Sequence, residues 1–230
     1  MLFAVLAWQV ASDGPLRALD ERLGRAVVHS LIPAPLAEFF ADLGNTAVAL
    51  PVLALAALYA AWRGRRGAVP RWWLPPSAAV LTMAVVPALV VPLKTWLARP
   101  GPPEMAGGTH GGFFPSGHGA TAAVAYGAVA LLLARPRHAR PARARRPMTT
   151  GLAAGVGLLN LAVGIGLVRR GYHWPLDVLA SWCLAGVLLA ACAAACGPWA
   201  HPPKRRPQHP QHHPHRQDGQ LATPNSSDAM

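Results

Sequence analysis

Apolar residues in this chain are gathered into runs of membrane-spanning length, at 45–62, 74–97, 117–134, 151–168 and 175–196. In hydrocarbon every backbone N–H and C=O must find its partner within the segment, so an apolar run of about 20 residues predicts a helix that crosses the bilayer. Pro87 and Pro92 interrupt the second run, and protein surroundings tolerate such breaks in a span. The opening run, Met1 to Ala11, is too short to cross and is either the end of a span that begins upstream or a helix of half depth. It has neither a basic leading segment nor a small-residue cleavage site, which argues against a signal peptide. From Pro15 to Asp42 the pattern is amphipathic. Leu16, Leu19, Leu23, Val27 and Leu31 form a helical stripe, with Arg17, Asp20, Glu21, Arg22 and Arg25 off it, as in helices that lie in the interface. The expected fold is all-α, a polytopic bundle of six transmembrane helices or five with a truncated first, within residues 1–196. Interfacial helices are expected at about 15–43.

Charge sets the orientation. Hydrophobic residues make up 53% of the chain and charged ones 13%, yet the formal net charge is +12. Such a balance suits a nucleic-acid binder only when the basic residues form a continuous face; here they sit between apolar runs, so nucleic acid is excluded as a partner. Lys and Arg cluster at 63–71, at 135–146 and after the last span at Lys204, Arg205 and Arg206, which places those segments in the cytoplasm. The loops at 98–117 and 169–174 then face outside, on a multi-pass protein of the cell membrane. Residues 197–230 are rich in Pro, His and Gln and are expected to be a disordered cytoplasmic tail, whose histidines lack partner ligands for a metal. Cys183, Cys192 and Cys196 share one apolar run without zinc spacing and predict neither disulfide nor metal.

Three clusters at outer span ends carry candidate chemistry. In Gly171-Tyr172-His173-Trp174-Pro175-Leu176-Asp177, Pro175 suits a first helical turn, leaving His173 just before the helix and Asp177 within that turn. A carboxylate there can accept the Nδ1 proton and leave Nε2 as nucleophile, although the pair alone fits better an interfacial histidine and a capping acid. In Pro115-Ser116-Gly117-His118, Ser116 is a good N-cap, Gly117 allows close approach to a helix N-terminus that attracts anions, and His118 can donate a proton. Lys94 and Arg99 supply external cations where positive charge is scarce. Each cation alone could be a snorkelling anchor; together, the three clusters are what a phosphate dianion requires.

These residues resemble the type 2 phosphatidic acid phosphatase superfamily, which includes undecaprenyl pyrophosphate phosphatases and vanadium haloperoxidases and is marked by KxxxxxxRP, PSGH and SRxxxxxHxxxD. The second motif is intact at Pro115 to His118, and the third keeps His173 and Asp177. The likeness covers roughly residues 15–196. Counting from Lys94, the first motif's arginine falls at Gly101, with Arg99 two positions earlier; the third motif's Ser-Arg falls at Gly166-Leu167, with Arg169 and Arg170 nearer the histidine.

The resemblance implies a metal-independent phosphatase, without cofactor, acting on a lipid phosphate monoester or pyrophosphate of the undecaprenyl pyrophosphate or phosphatidic acid type. His173 would form a phosphohistidine, Asp177 would hold it, and His118 would protonate the leaving oxygen. Lys94, Arg99, Ser116, Gly117 and Arg169 or Arg170 would bind the phosphate. Two alternatives stand: a non-catalytic member of the fold that binds phospholipid, and a vanadate-dependent haloperoxidase, against which the spans weigh. Transport is disfavoured because the charges lie at helix ends rather than at the midplane.

Overall fold

The computed structural model describes residues 1–103, 112–134 and 142–196, with side chains from 149 onward in the last segment. All of them fall within one compact unit, Met1–Ala200. The tail 197–230, most of the basic loop 135–146 and residues 104–111 lie outside the described residues. The described chain is all helix and turn: α1 (Leu2–Ala11), α2 (Pro15–Val28), α3 (Ala34–Asp42), α4 (Thr46–Arg66), α5 (Leu74–Leu97), α6 (Gly117–Ala134), α7 (Ala142–Arg169) and α8 (Pro175–Cys196).

Five of these are long and apolar enough to cross a membrane: α4, α5, α6, the 149–169 part of α7, and α8. The apolar α1, of 10 residues, is shorter than a span. The α7 helix starts earlier than the apolar run suggests, at Ala142 inside the basic segment.

Helix α6 is the axis of the bundle. Of its most apolar window 61% is buried, against 22% to 33% in the other four spans. Lipid tails are as apolar as leucine, so helices associate in a bilayer chiefly through close packing, which small residues permit. Helix α6 is lined with them: Gly119, Ala120, Ala122, Ala125, Gly127 and Ala128 are all buried. A methyl group added at Gly119 would lie 2.4 Å from Ser181 Oγ of α8, and one at Gly127 would lie 2.4 Å from Leu189 Cδ1. One core joins α4, α5, α6 and α8 through Leu53, Val86, Val90, Val124 and Ala185. A second joins α3, α6, α7 and α8 through Ala41, Tyr126, Val163, Leu167 and Val178.

The contact of α3 with α7 explains the altered third motif. A Cβ at Gly166 would stand 2.5 Å from the Ala37 carbonyl oxygen and 2.9 Å from the Ala41 amide. Leu167 is fully buried in the second core. Neither a serine nor an arginine fits this register, because α3 already occupies the space.

The amphipathic segment lies the other way round from the usual surface helix. Leu16, Leu19 and Leu23 are exposed on α2, while Asp20 and Gly24 face the protein. The leucines are thus turned outward, and the edge of the stripe that carries Asp20 and Gly24 meets the bundle, while Arg22 and Arg25 stay exposed.

Candidate active site

Alternating chain direction brings five helix ends to one level: the starts of α4, α6 and α8 and the ends of α5 and α7. The start of α6 is fixed by its cap. Ser116, fully buried, accepts the Gly119 amide on Oγ at 3.0 Å, and its own amide donates to the Asp177 carbonyl at 3.0 Å. That second bond joins the opening turns of α6 and α8. It brings two sequence clusters about 60 residues apart in the chain into contact.

The rings of His118 and His173 lie 6.4 Å apart, centroid to centroid. His173 is 5% exposed, with Phe113 packed edge-on at 5.8 Å, whereas His118 opens to the surface. His173 Nδ1 is 3.4 Å from Asp177 Oδ2, and the Trp174 amide donates to the same oxygen at 3.0 Å. The other oxygen, Oδ1, accepts from Arg99 Nη1 at 2.6 Å. One imidazole is therefore held by a buried carboxylate and the other is free to move a proton. This arrangement suits nucleophilic attack by His173 and protonation of a leaving group by His118.

Behind His118 opens a cavity of about 690 Å³ between α4, α5 and α6. Its walls are apolar, from Leu53, Met83, Val86 and Val90 among others, and its polar end is formed by Lys94, Gly117 and His118. Gly44 packs so closely on the start of α6 that a Cβ there would meet the His118 carbonyl oxygen at 3.0 Å. Gly117 differs: a Cβ there would approach only Val90, at 4.0 Å. Packing does not require a glycine at 117, and the open space lies where a ligand would reach the helix N-terminus.

The expected phosphate-binding residues divide. Lys94, half-buried, lines the cavity beside Gly117 and His118. Arg99 departs from its expected place. It is 2% exposed, and its two terminal nitrogens are held by Asp177 Oδ1 and Asp20 Oδ2, each at 2.6 Å. The cause is local: α5 ends on Ala98 in the left-handed conformation (φ 42°), and Arg99 follows at once, facing α8. The ring of Trp174 lies 5.7 Å from its guanidinium carbon. At Gly101, where the first motif's arginine would fall, a Cβ would lie 2.6 Å from the Phe113 ring, so a side chain there would displace that ring. Arg169 donates from Nε to the Ile32 carbonyl at 3.0 Å, and Arg170 pairs with Glu38 at 3.7 Å. Both are thus directed toward the α2–α3 turn and α3.

Asp20 is the residue that sequence reasoning missed. It is 3% exposed; Oδ2 accepts from Arg99, and Oδ1 accepts from the Leu176 amide at 2.7 Å. Burial pushes its carboxyl above the ordinary carboxylate range, against the opposing pull of Arg99 and of the Leu176 amide. At helical spacing it falls among Leu16, Leu23 and Val27, and an acidic residue inside an apolar stripe is the signal that could have found it.

The chain is similar in fold to the structure described as the first transmembrane PAP2 type phosphatidylglycerolphosphate phosphatase from Bacillus subtilis. The TM-score is 0.69 and the identity 22%, over 84% of this chain and 91% of that one. It is also similar to LpxE of Aquifex aeolicus, with a TM-score of 0.52 and 21% identity over 75% of this chain and 93% of that one. No curated protein sequence matches. The sequence pattern of the PAP2 superfamily matches residues 75–199, more than half of the chain. That match takes in Lys94, Ser116 to His118 and His173 to Asp177, the clusters that the helix ends bring together, and the chain belongs to the PAP2 superfamily.

Proposed function

We propose that this protein hydrolyses a phosphate monoester or pyrophosphate carried on a lipid. The observation that carries this reading is the pairing of a buried, carboxylate-held His173 with an open His118 at the polar end of an apolar cavity. An amphiphile fits such a cavity, with its chain against α4 and α5 and its phosphate against Lys94 and the first amides of α6.

In the proposed reaction, His173 Nε2 attacks phosphorus while the bond to the leaving oxygen breaks and His118 gives that oxygen its proton. Water then attacks the phosphohistidine, loses a proton to His118 and releases phosphate with His173 restored. Charge on the equatorial oxygens is met by Lys94 and by the α6 N-terminus, so the chemistry proceeds with fixed cations. Arg169 and Arg170 would have to leave the Ile32 carbonyl and Glu38 to take part. The basic segment 63–71 lies at the opposite helix ends from the site, and α7 starts there inside the basic stretch of the sequence, which supports a cytoplasmic tail and an extracytoplasmic site. A reporter fused at residue 140 is expected to remain inside the cell; its appearance outside would overturn that orientation.

A second reading, a phospholipid binder without turnover, draws on Arg99, whose engagement with Asp177 and Asp20 leaves the phosphate fewer cations. Phosphate release decides between the two. Purified protein in detergent is expected to release phosphate from phosphatidic acid, phosphatidylglycerophosphate or undecaprenyl pyrophosphate, at the same rate with and without a chelator. Loss of activity on chelation would defeat the metal-free reaction. Lipid binding without release from any of the three would favour the second reading.

A further inference from the structure

A buried chain of charge runs from the interfacial helix α2 to the nucleophile. Asp20 Oδ2 meets Arg99 Nη2 at 2.6 Å, Arg99 Nη1 meets Asp177 Oδ1 at 2.6 Å, and Asp177 Oδ2 lies 3.4 Å from His173 Nδ1. The side chains of Asp20 and Arg99 are 1% and 0% exposed, so solvent screens none of this. Taking a carboxylate and a guanidinium out of water is unfavourable, and their mutual attraction often fails to offset it. The upward push on the Asp20 carboxyl has the same origin. The ion pair is therefore weak evidence that Asp20 serves stability.

Charge balance gives a reason for Asp20. With Asp177 and Arg99 alone, the pair is neutral, and His173 has no net negative partner when phosphorylation makes its ring cationic. Asp20 restores one negative charge to the group. It also fixes the start of α8 through the Leu176 amide, and α2 lies so close there that a Cβ at Gly24 would meet the Trp174 ring at 2.7 Å.

We propose that Asp20 is a positioning residue for the His173 nucleophile, acting through Arg99: it neutralises the guanidinium so that Asp177 keeps its full charge for the imidazole. The inference rests on the hydrolytic reading above. Other charged groups around the chain are already accounted for. Helix α1 carries none, and on α2 Arg17 pairs with Asp13 and Glu21, Arg25 is near Glu21, and the exposed Arg22 donates to the Ala18 carbonyl. From α7, Arg169 bonds the Ile32 carbonyl and Arg170 pairs with Glu38. His118 and Lys94 stand on the cavity side of His173, and Asp42 acts on His118 from the end of α3.

The test is the pH profile of kcat/KM for phosphate release from the best lipid substrate, with folding checked by monodisperse elution and melting in detergent. The acid limb reports the imidazole that must be unprotonated to attack. Asp20→Asn leaves Arg99 less compensated, disfavours the imidazolium, and is expected to move that limb down by about one pH unit and lower kcat about tenfold, with KM nearly unchanged. Arg99→Gln leaves two carboxylates uncompensated and should move the limb up. The double variant restores a single negative charge and should bring the limb back toward that of the unaltered protein. A purely structural role would lower the active fraction without moving the limb, and could not give opposite shifts. An unmoved limb in folded Arg99→Gln, or a double variant whose limb stays as far up as that of Arg99→Gln alone, overturns the proposal, even if Asp20→Asn does not fold. If the unaltered protein releases no phosphate, or His173→Ala retains release, the hydrolytic reading has failed and this inference falls with it.

Discussion

His173→Ala is expected to lower phosphate release by about four orders of magnitude or more, with lipid binding retained. The prediction follows from the division of labour at the site. In the proposed reaction phosphate charge is met by Lys94 and the α6 N-terminus, which line the cavity and do not depend on the imidazole. On that reading the covalent step has no second candidate among the described residues, because His118 lies on the opposite side of a 6.4 Å gap and lacks the carboxylate that holds His173. The measurement pairs turnover with retention of radiolabelled lipid in detergent. A variant that keeps even a tenth of the activity would show that another group, or water directly, attacks phosphorus. A variant that loses binding with turnover would place His173 among the phosphate ligands.

Asp177→Asn ranks second in expected effect. The asparagine has nearly the same shape, so the Trp174 amide can keep its acceptor, but the charge facing both His173 and Arg99 is gone. Where a buried Asp fixes the tautomer of a catalytic imidazole, this change lowers kcat by about 10³ to 10⁴, and a loss of that order is expected here. Stability should fall by ~2 kcal/mol, the scale of one hydrogen bond to a charged group. It should not collapse, because Arg99 retains Asp20 at 2.6 Å. Turnover at saturating substrate and melting in detergent read the two effects separately. Full activity in Asp177→Asn would mean that the carboxylate merely starts α8. Failure to fold would mean that Asp20 alone does not hold Arg99.

Much of this architecture is legible in the chain itself. The five spans follow from runs of apolar residues, since a continuous apolar run of about 20 residues satisfies its own backbone in hydrocarbon as a helix. The boundaries of α5, α6 and α8 coincide with the apolar runs because Pro, Gly and Ser stand at their ends. The spacing of His173 and Asp177 across Pro175 already sets a loop residue against a first-turn carboxylate. Ser116 caps α6 as its type and position suggest.

The arginines were less legible. Arg99 carries its charge at a span end beside Lys94, which is where a phosphate ligand is expected. Ala98, in the left-handed conformation, ends α5 just before it, and two carboxylates from separate helices meet the side chain there. Arg169 and Arg170 likewise stand at the end of α7, but α3 supplies Glu38 and the chain before it the Ile32 carbonyl.

The sequence by itself determined which segments lie in the membrane and which residues stand at the helix ends, because burial in lipid and capping are local demands that a few neighbouring residues meet. Only the tertiary structure decided which charges meet. A helical stripe tells which residues of α2 share a face, but an interfacial helix borders lipid, water and protein at once. That Asp20 faces protein, and finds Arg99 there, depends on how α2 packs against α8.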